Sequence, residues 1–230
     1  MHFNFYLSKN GEKEEIVEIF QDDDPYGIPA RAKQYGISEN LAKKINSAPR
    51  EEWENDLDLV LTEAYRINEK KLNESLEFFK TFWNENDKYY FDILEKAIEE
   101  KIEKYNVLLT HFVAGTSDWE GNNICTNAYS KGIIRNKNAH VYYLLFEVIL
   151  SHFFKKIRKV RKDLEDLQIW AMTELISFTI LHNEFDLFES EANTNYKEVD
   201  SHINEAKNLY KNSNNINKFI EEIIKIYERK

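Results

Sequence analysis

Two glutamates sit where a buried helix normally has none. Glu147 lies inside the apolar run AHVYYLLFEVILSHFF, residues 139–154, and Glu174 inside LQIWAMTELISFTILHNEF, residues 167–185. An ionised carboxylate is costly to bury unless it is paired, hydrogen-bonded or coordinated. Two of them in successive core helices therefore mark a candidate site, a cleft bounded by one acid from each helix. In helical order His140, Tyr143, Phe146, Glu147 and Leu150 fall on or near one face, and Trp170, Glu174 and Phe178 do so on the next helix.

Few other side chains in the chain suggest chemistry. His140 and His182 lie two turns from the glutamates on roughly the same faces, whereas His152 is about 140° around the helix from Glu147 and does not converge with it. Cys125 reads as a small buried hydrophobe in a strand. The segment Gly115–Gly121 has neither the spacing of a phosphate loop nor a following lysine, and no Gly-x-Ser-x-Gly elbow is present. The loop Thr116–Asn123, with Trp119 and Asn122, is the best candidate for an exposed partner contact. Residues 155–162 hold six cations in eight positions. That run is an anion-binding candidate, but it also suits a helix C-terminus, whose dipole it complements.

A strand, a core helix carrying a glutamate and a second core helix carrying another resemble, in order and spacing over about residues 105–189, the catalytic core of the gluzincin metallopeptidases. There H-E-x-x-H on the first helix holds zinc between two histidines one turn apart, its glutamate activates water, and a glutamate on the following helix is the third ligand. On this sequence the motif falls on Phe146-Glu147-Val148-Ile149-Leu150, with Glu147 at the general-base position and Glu174 at the third-ligand position. Both histidine positions are apolar. The resemblance thus implies a degenerate site with no catalytic residues, no metal and no cofactor; His140 and Tyr143, from the helix face of Glu147, and Trp119 and Asn122, from the loop, are the candidate binding residues. The alternative is a metal-dependent peptidase or hydrolase with atypical ligands, Glu147 acting as base and Glu174 as ligand.

Composition bounds the rest. The chain has 230 residues, 42% hydrophobic and 14% aromatic, enough for a substantial core. A formal net charge of −10 argues against nucleic acid as partner, since that affinity comes from cations on phosphates, and favours a basic protein. A single cysteine excludes an intramolecular disulfide and a cysteine-based zinc cluster, which points to the cytoplasm. The N-terminus lacks the basic and apolar regions of a signal peptide, and no run of about 18 apolar residues offers a membrane span. The expectation is a non-catalytic acidic protein-binding module, of the immunity or antitoxin-like kind.

The elements that must position this site are mostly helical. All three prolines precede residue 50, so long helices follow. MHFNFYL alternates and Lys9-Asn10-Gly11 offers a turn, which predicts a β-hairpin. Residues 21–49 read as loop with one short helix near 38–46, capped by Ser38. Apolar residues recur at helical spacing from Trp53 to Ile98, with a turn expected at Asn84–Asp87. Strands are expected over Val107–Val113 and Ile124–Tyr129, and two amphipathic helices after Glu198, split at Asn212–Asn217. The fold class is mostly α with a small antiparallel sheet (α+β), two buried helices being flanked by amphipathic ones. A single domain over 1–230 is expected: hairpin and loop (1–50), helical segment (51–105), strand–loop–strand with two core helices (106–189) and C-terminal helices (196–230).

Overall fold

The computed structural model describes residues 1–21, 27–113, 116–128, 137–185 and 196–228. The start of the expected loop at Gly115, the end of the expected strand at Tyr129 and the last residues of the expected core segment, 186–189, lie outside these residues. The chain opens with strand β1 (Phe3–Leu7), followed by helices α1 (Lys9–Gln21), α2 (Gly27–Tyr35) and α3 (Glu39–Ser47). The helix α4 (Glu54–Ile98) comes next, then β2 (Tyr105–Thr110), β3 (Thr116–Ser117) and β4 (Asn123–Asn127). Helices α5 (Lys137–Val160), α6 (Asp166–Glu184), α7 (Lys197–Asp200), α8 (Ile203–Asn212) and α9 (Ile216–Glu228) complete it.

The sheet is not antiparallel as expected. Its order is β1-β2-β4-β3; β1, β2 and β4 are mutually parallel, and only the two-residue β3 at the edge runs antiparallel, to β4. The N-terminal hairpin is likewise replaced by a strand-to-helix turn. Ser8 decides this: its hydroxyl accepts from the Gly11 N–H at 2.9 Å and its carbonyl from the Glu12 N–H, which starts α1 where a hairpin would have turned back. Gly11 serves close approach, because a Cβ there would lie 3.2 Å from Leu108 of β2.

A parallel sheet needs cover on both faces. Leu108 and Cys125 point into a core built by α1, α2, α3 and the start of α4, including Phe20, Ile45, Trp53 and Leu57. Phe3, Phe5, Val107, Leu109 and Ile124 point into the larger core formed by the rest of α4 with α5, α6, α8 and α9. β2 is therefore buried at five of its six positions. The hydrophobic run that looks non-alternating in sequence is a strand wrapped on both sides.

α4 serves both cores without the expected break at Asn84–Asp87. At 1.5 Å per residue its 45 residues span about 67 Å. Asp87 is one of its buried residues and accepts from the backbone N–H of His2 at 2.6 Å, so the polar stretch that read as a turn is a tether for the N-terminus. Residues 21–49 hold two helices rather than one, since Pro29 sits in the first turn of α2, where its missing N–H costs nothing. α3 matches its expected position, with the Ser38 hydroxyl accepting from the Leu41 N–H at 3.2 Å.

One buried acid was not singled out in the sequence. Glu12 of α1 is fully buried, and its carboxylate accepts from the backbone N–H groups of His111, at 2.9 Å, and Phe112, at 2.5 Å, where β2 ends, and from the Tyr65 hydroxyl of α4 at 2.8 Å. It ties α1, β2 and α4 together. Glu12→Ala should cost about 3 kcal/mol, because it leaves buried donors without an acceptor. Glu14→Ala, which removes only an exposed pair with Arg50, should cost less than about 1 kcal/mol. Urea unfolding of both variants measures the difference, and equal losses would remove Glu12 as a clamp.

Candidate functional site

α5 and α6 form an antiparallel pair joined by a five-residue connection, residues 161–165. The joint is specified locally. Glu165 and Gln168 form a reciprocal capping box at the start of α6, and the Arg158 guanidinium donates to the Leu164 carbonyl at 2.6 Å. This pairing brings Glu147 and Glu174 into electrostatic reach of one another.

Glu147 is partly open to solvent, yet its carboxyl lies deep enough that desolvation pushes its pKa up to about 7, against the opposing effect of the Ser117 hydroxyl. Ser117 Oγ donates to Glu147 Oε2 at 2.5 Å. Glu174 is 8% exposed; desolvation first, and then the charge of Glu147, raise it to about 8, while the Trp170 indole N–H opposes. Near neutral pH the pair therefore carries fewer than two charges, one acid holding a proton that the other has partly lost.

Edge strand β3 supplies Ser117, and its position is fixed by a short turn. Asp118 Oδ1 accepts from the N–H groups of Glu120 (3.2 Å) and Gly121 (2.9 Å), and a Cβ at Gly121 would fall 1.8 Å from Asp118 Oδ2. Only glycine fits there. The same turn seats Trp119, whose ring packs 5.3 Å from Phe154 and 6.4 Å from Trp170. Trp170 in turn meets Tyr196 edge-on at 4.8 Å. An aromatic wall of half-buried rings thus stands beside the two carboxylates.

The expected residues distribute unevenly around this centre. Tyr143 is close enough to Glu147 to be affected by its charge, and its hydroxyl donates to the Cys125 carbonyl at 3.0 Å. Trp119 belongs to the wall. Asn122 is engaged structurally, donating to Glu103 (2.9 Å) and the Lys104 carbonyl (3.1 Å) and accepting from Lys155 (2.5 Å). His140 is elsewhere, 1% exposed among Phe82 (4.6 Å), Phe79 (5.3 Å) and Phe78 (5.7 Å) of α4. His182 stacks on Phe178 at 3.9 Å and touches Tyr142, which also senses Glu174; burial lowers its pKa. His152 faces Glu100 at 3.1 Å. Cys125 is buried in β4.

At the two histidine positions of the peptidase motif, Phe146 is partly buried beside Tyr142 and Leu150 is 1% exposed. Neither has an atom that binds a metal. Among the described residues no group of three or more His, Cys, Asp or Glu is close enough to hold one. The cationic run is largely neutralised in place: Lys156 pairs with Glu100, Arg158 with Asp166, Arg161 with Asp163 and Glu228, and Lys155 with Glu103. No helix of the described residues is long and apolar enough to cross a membrane. Ser117 and Tyr196 were not legible as site residues, since β3 is defined by pairing alone and Tyr196 by a contact across the fold.

Comparison with protein-family models, with curated proteins and with solved structures returned no match for this chain.

The raised acids set the sign of the pH dependence. Both have folded pKa values above their ordinary value of 4.5, so the folded state holds protons that the unfolded chain releases. Their effect on stability is neutral below about pH 4.5 and increasingly unfavourable as pH rises to about 8. Glu174→Gln should match the parent at pH 5 and be more stable by on the order of 2 kcal/mol at pH 8.5. Denaturant unfolding at the two pH values checks this; a Gln variant less stable at pH 8.5 would mean that the native site holds Glu174 ionised.

Proposed function

We propose that this chain is a non-catalytic, acidic protein-binding module that works in the cytoplasm as an antagonist, of immunity or antitoxin-like type, by covering a basic partner. Its scaffold is peptidase-like, with the metal-binding positions replaced. The observation that carries the reading is the pairing of Glu147 and Glu174 at one site with Phe146 and Leu150 standing where metal ligands would be needed. With Phe146 and Leu150 at the ligand positions the site lacks the metal-held water of a peptidase of that type, and its two carboxyl groups suit a cationic group on a partner. The net charge of −10 supports the same partner class, since complementary charge speeds encounter and suppresses wrong pairings. The half-buried aromatic wall of Trp119, Trp170 and Tyr196 adds apolar contact of the kind enriched at interface centres.

Tagged chain expressed in its native cytoplasm should recover one basic protein in stoichiometric amount, and the complex should weaken steeply as salt approaches roughly 1 M. Recovery of no stoichiometric partner overturns the antagonist reading.

The scaffold has its own test. Phe146→His combined with Leu150→His restores H-E-x-x-H ahead of Glu174 and should bind about one zinc per chain, with a metal-dependent rise in thermal stability. Elemental analysis and thermal unfolding read the outcome. A folded double variant that stays metal-free removes the peptidase ancestry from the proposal.

A further inference from the structure

The stretch of α4 between the two cores carries an apolar face that points away from both. Leu57 and Leu61 belong to the core beneath α1, α2 and α3, and Leu72 to the larger core; between them Tyr65 packs against both. This part of the helix is a bridge, held along one line and open around the rest. At about 100° per residue, Asp56, Leu59, Val60, Glu63, Arg66, Ile67 and Lys70 fall within about 120° of arc on the side away from Leu61, Tyr65 and Leu72.

A bridging helix stays solvated with polar residues alone on such a face. Here Leu59 is 70% exposed, Ile67 64% and Val60 37%. Three of the eight large hydrophobic side chains exposed among the described residues therefore lie between positions 59 and 67 of one helix face, which makes them a patch and not scattered singles.

Charge on the same face is divided by position. Asp56 and Glu63 lie in its first half, Arg66 and Lys70 in its second, and all four are exposed. The pairs they make within the chain are surface pairs: Arg66 with Glu63 at 2.7 Å, Lys44 with Asp56 at 3.1 Å, Lys70 with Glu74 at 3.8 Å. Each contributes little and is readily exchanged for another.

We infer that this face is an interface between two copies of the chain, their α4 helices packed antiparallel about a two-fold axis between Ala64 and Tyr65. In that arrangement Ile67 of each copy lies against Leu59, Val60 and the stem of Glu63 of the other, Arg66 faces Glu63, and Lys70 comes near Asp56. Every contact occurs twice, as a two-fold interface requires. Parallel pairing sets acid against acid and cation against cation. A uniformly basic partner satisfies the first half of the face and repels the second, so the complement the face asks for, aliphatic side chains flanked by charge in reversed order, is the one the chain itself carries. The contact is short, so the dimer is weak and forms with concentration. It uses no residue of the Glu147/Glu174 centre, and its test needs no other protein, so it stands or falls separately from the function proposed above.

Sedimentation equilibrium of the full-length chain is the test. Monomer and dimer should exchange with a dissociation constant on the order of 10–100 µM, weakened at least about threefold when salt is raised to roughly 1 M. Ile67→Asp should leave the chain monomeric with an unchanged Tm, since the side chain it replaces is exposed, whereas Tyr89→Asp, at a similarly exposed position further along α4, should dimerise like the parent. The double variant Arg66→Glu/Lys70→Glu and the double variant Asp56→Lys/Glu63→Lys should each be monomeric alone and should form a heterodimer when mixed. A parent chain that stays monomeric at millimolar concentration, an Ile67→Asp variant that associates as the parent does, equal loss in Tyr89→Asp, or a mixture that remains monomeric would overturn the inference.

Discussion

A parallel sheet has to be covered on both faces, and nearly every long-range feature of this molecule follows from that requirement. The three parallel strands β1, β2 and β4 cannot be joined by tight turns, so longer connections intervene: α1 to α4 between β1 and β2, and the segment carrying β3, with no helix among its described residues, between β2 and β4. α1, α2 and α3 then take one face, and α5 with α6 the other. β4 in turn can pair antiparallel only at the free edge, where β3 adds two residues. That edge brings Ser117 and Trp119 to the helix pair that carries the acids. The clamp at Glu12 matters for the same reason, because it is the point where the covering helix α1, the end of β2 and α4 are locked together.

Much of this was legible in the residues, and what was not has physical reasons. The 3.6-residue spacing of Leu72, Phe79, Trp83, Phe91, Leu94 and Ile98 gave the helical character of that segment directly, and Ser38 gave the start of α3. The direction of the strands was not available. Phe3, Phe5 and Leu7 alternate as a half-exposed hairpin strand would, and the difference lies in Ser8 capping a helix in preference to Lys9-Asn10-Gly11 closing a turn. Asn84–Asp87 read as a break because four polar residues in a row rarely stay helical without tertiary support. That support is the N-terminus, bound by Asp87, and it is visible only once the chain is folded.

The site divides along the same line. Two acids in apolar helices were conspicuous by composition, since nothing but tertiary contact explains a charge there. Tyr143 and Trp119 followed from helix face and loop position, and both lie near the carboxylates. His140 and Asn122 did not, and the cause is similar in each. A histidine two turns from Glu147 reaches a different neighbour, here the aromatic face of α4, because a 24-residue helix crosses several environments along its length. Asn122, in a loop that looked free for a partner, is occupied by hydrogen bonds to Glu103, the Lys104 carbonyl and Lys155, which fasten the start of β4 to the basic end of α5.

Burial, rather than net charge, sets how the acid pair in the core helices can act. At Glu147 and Glu174 burial comes first, so the acids respond by retaining a proton, and a cation arriving there must displace it. The binding proposed for that site would therefore be coupled to proton release and would grow stronger as pH rises toward 8.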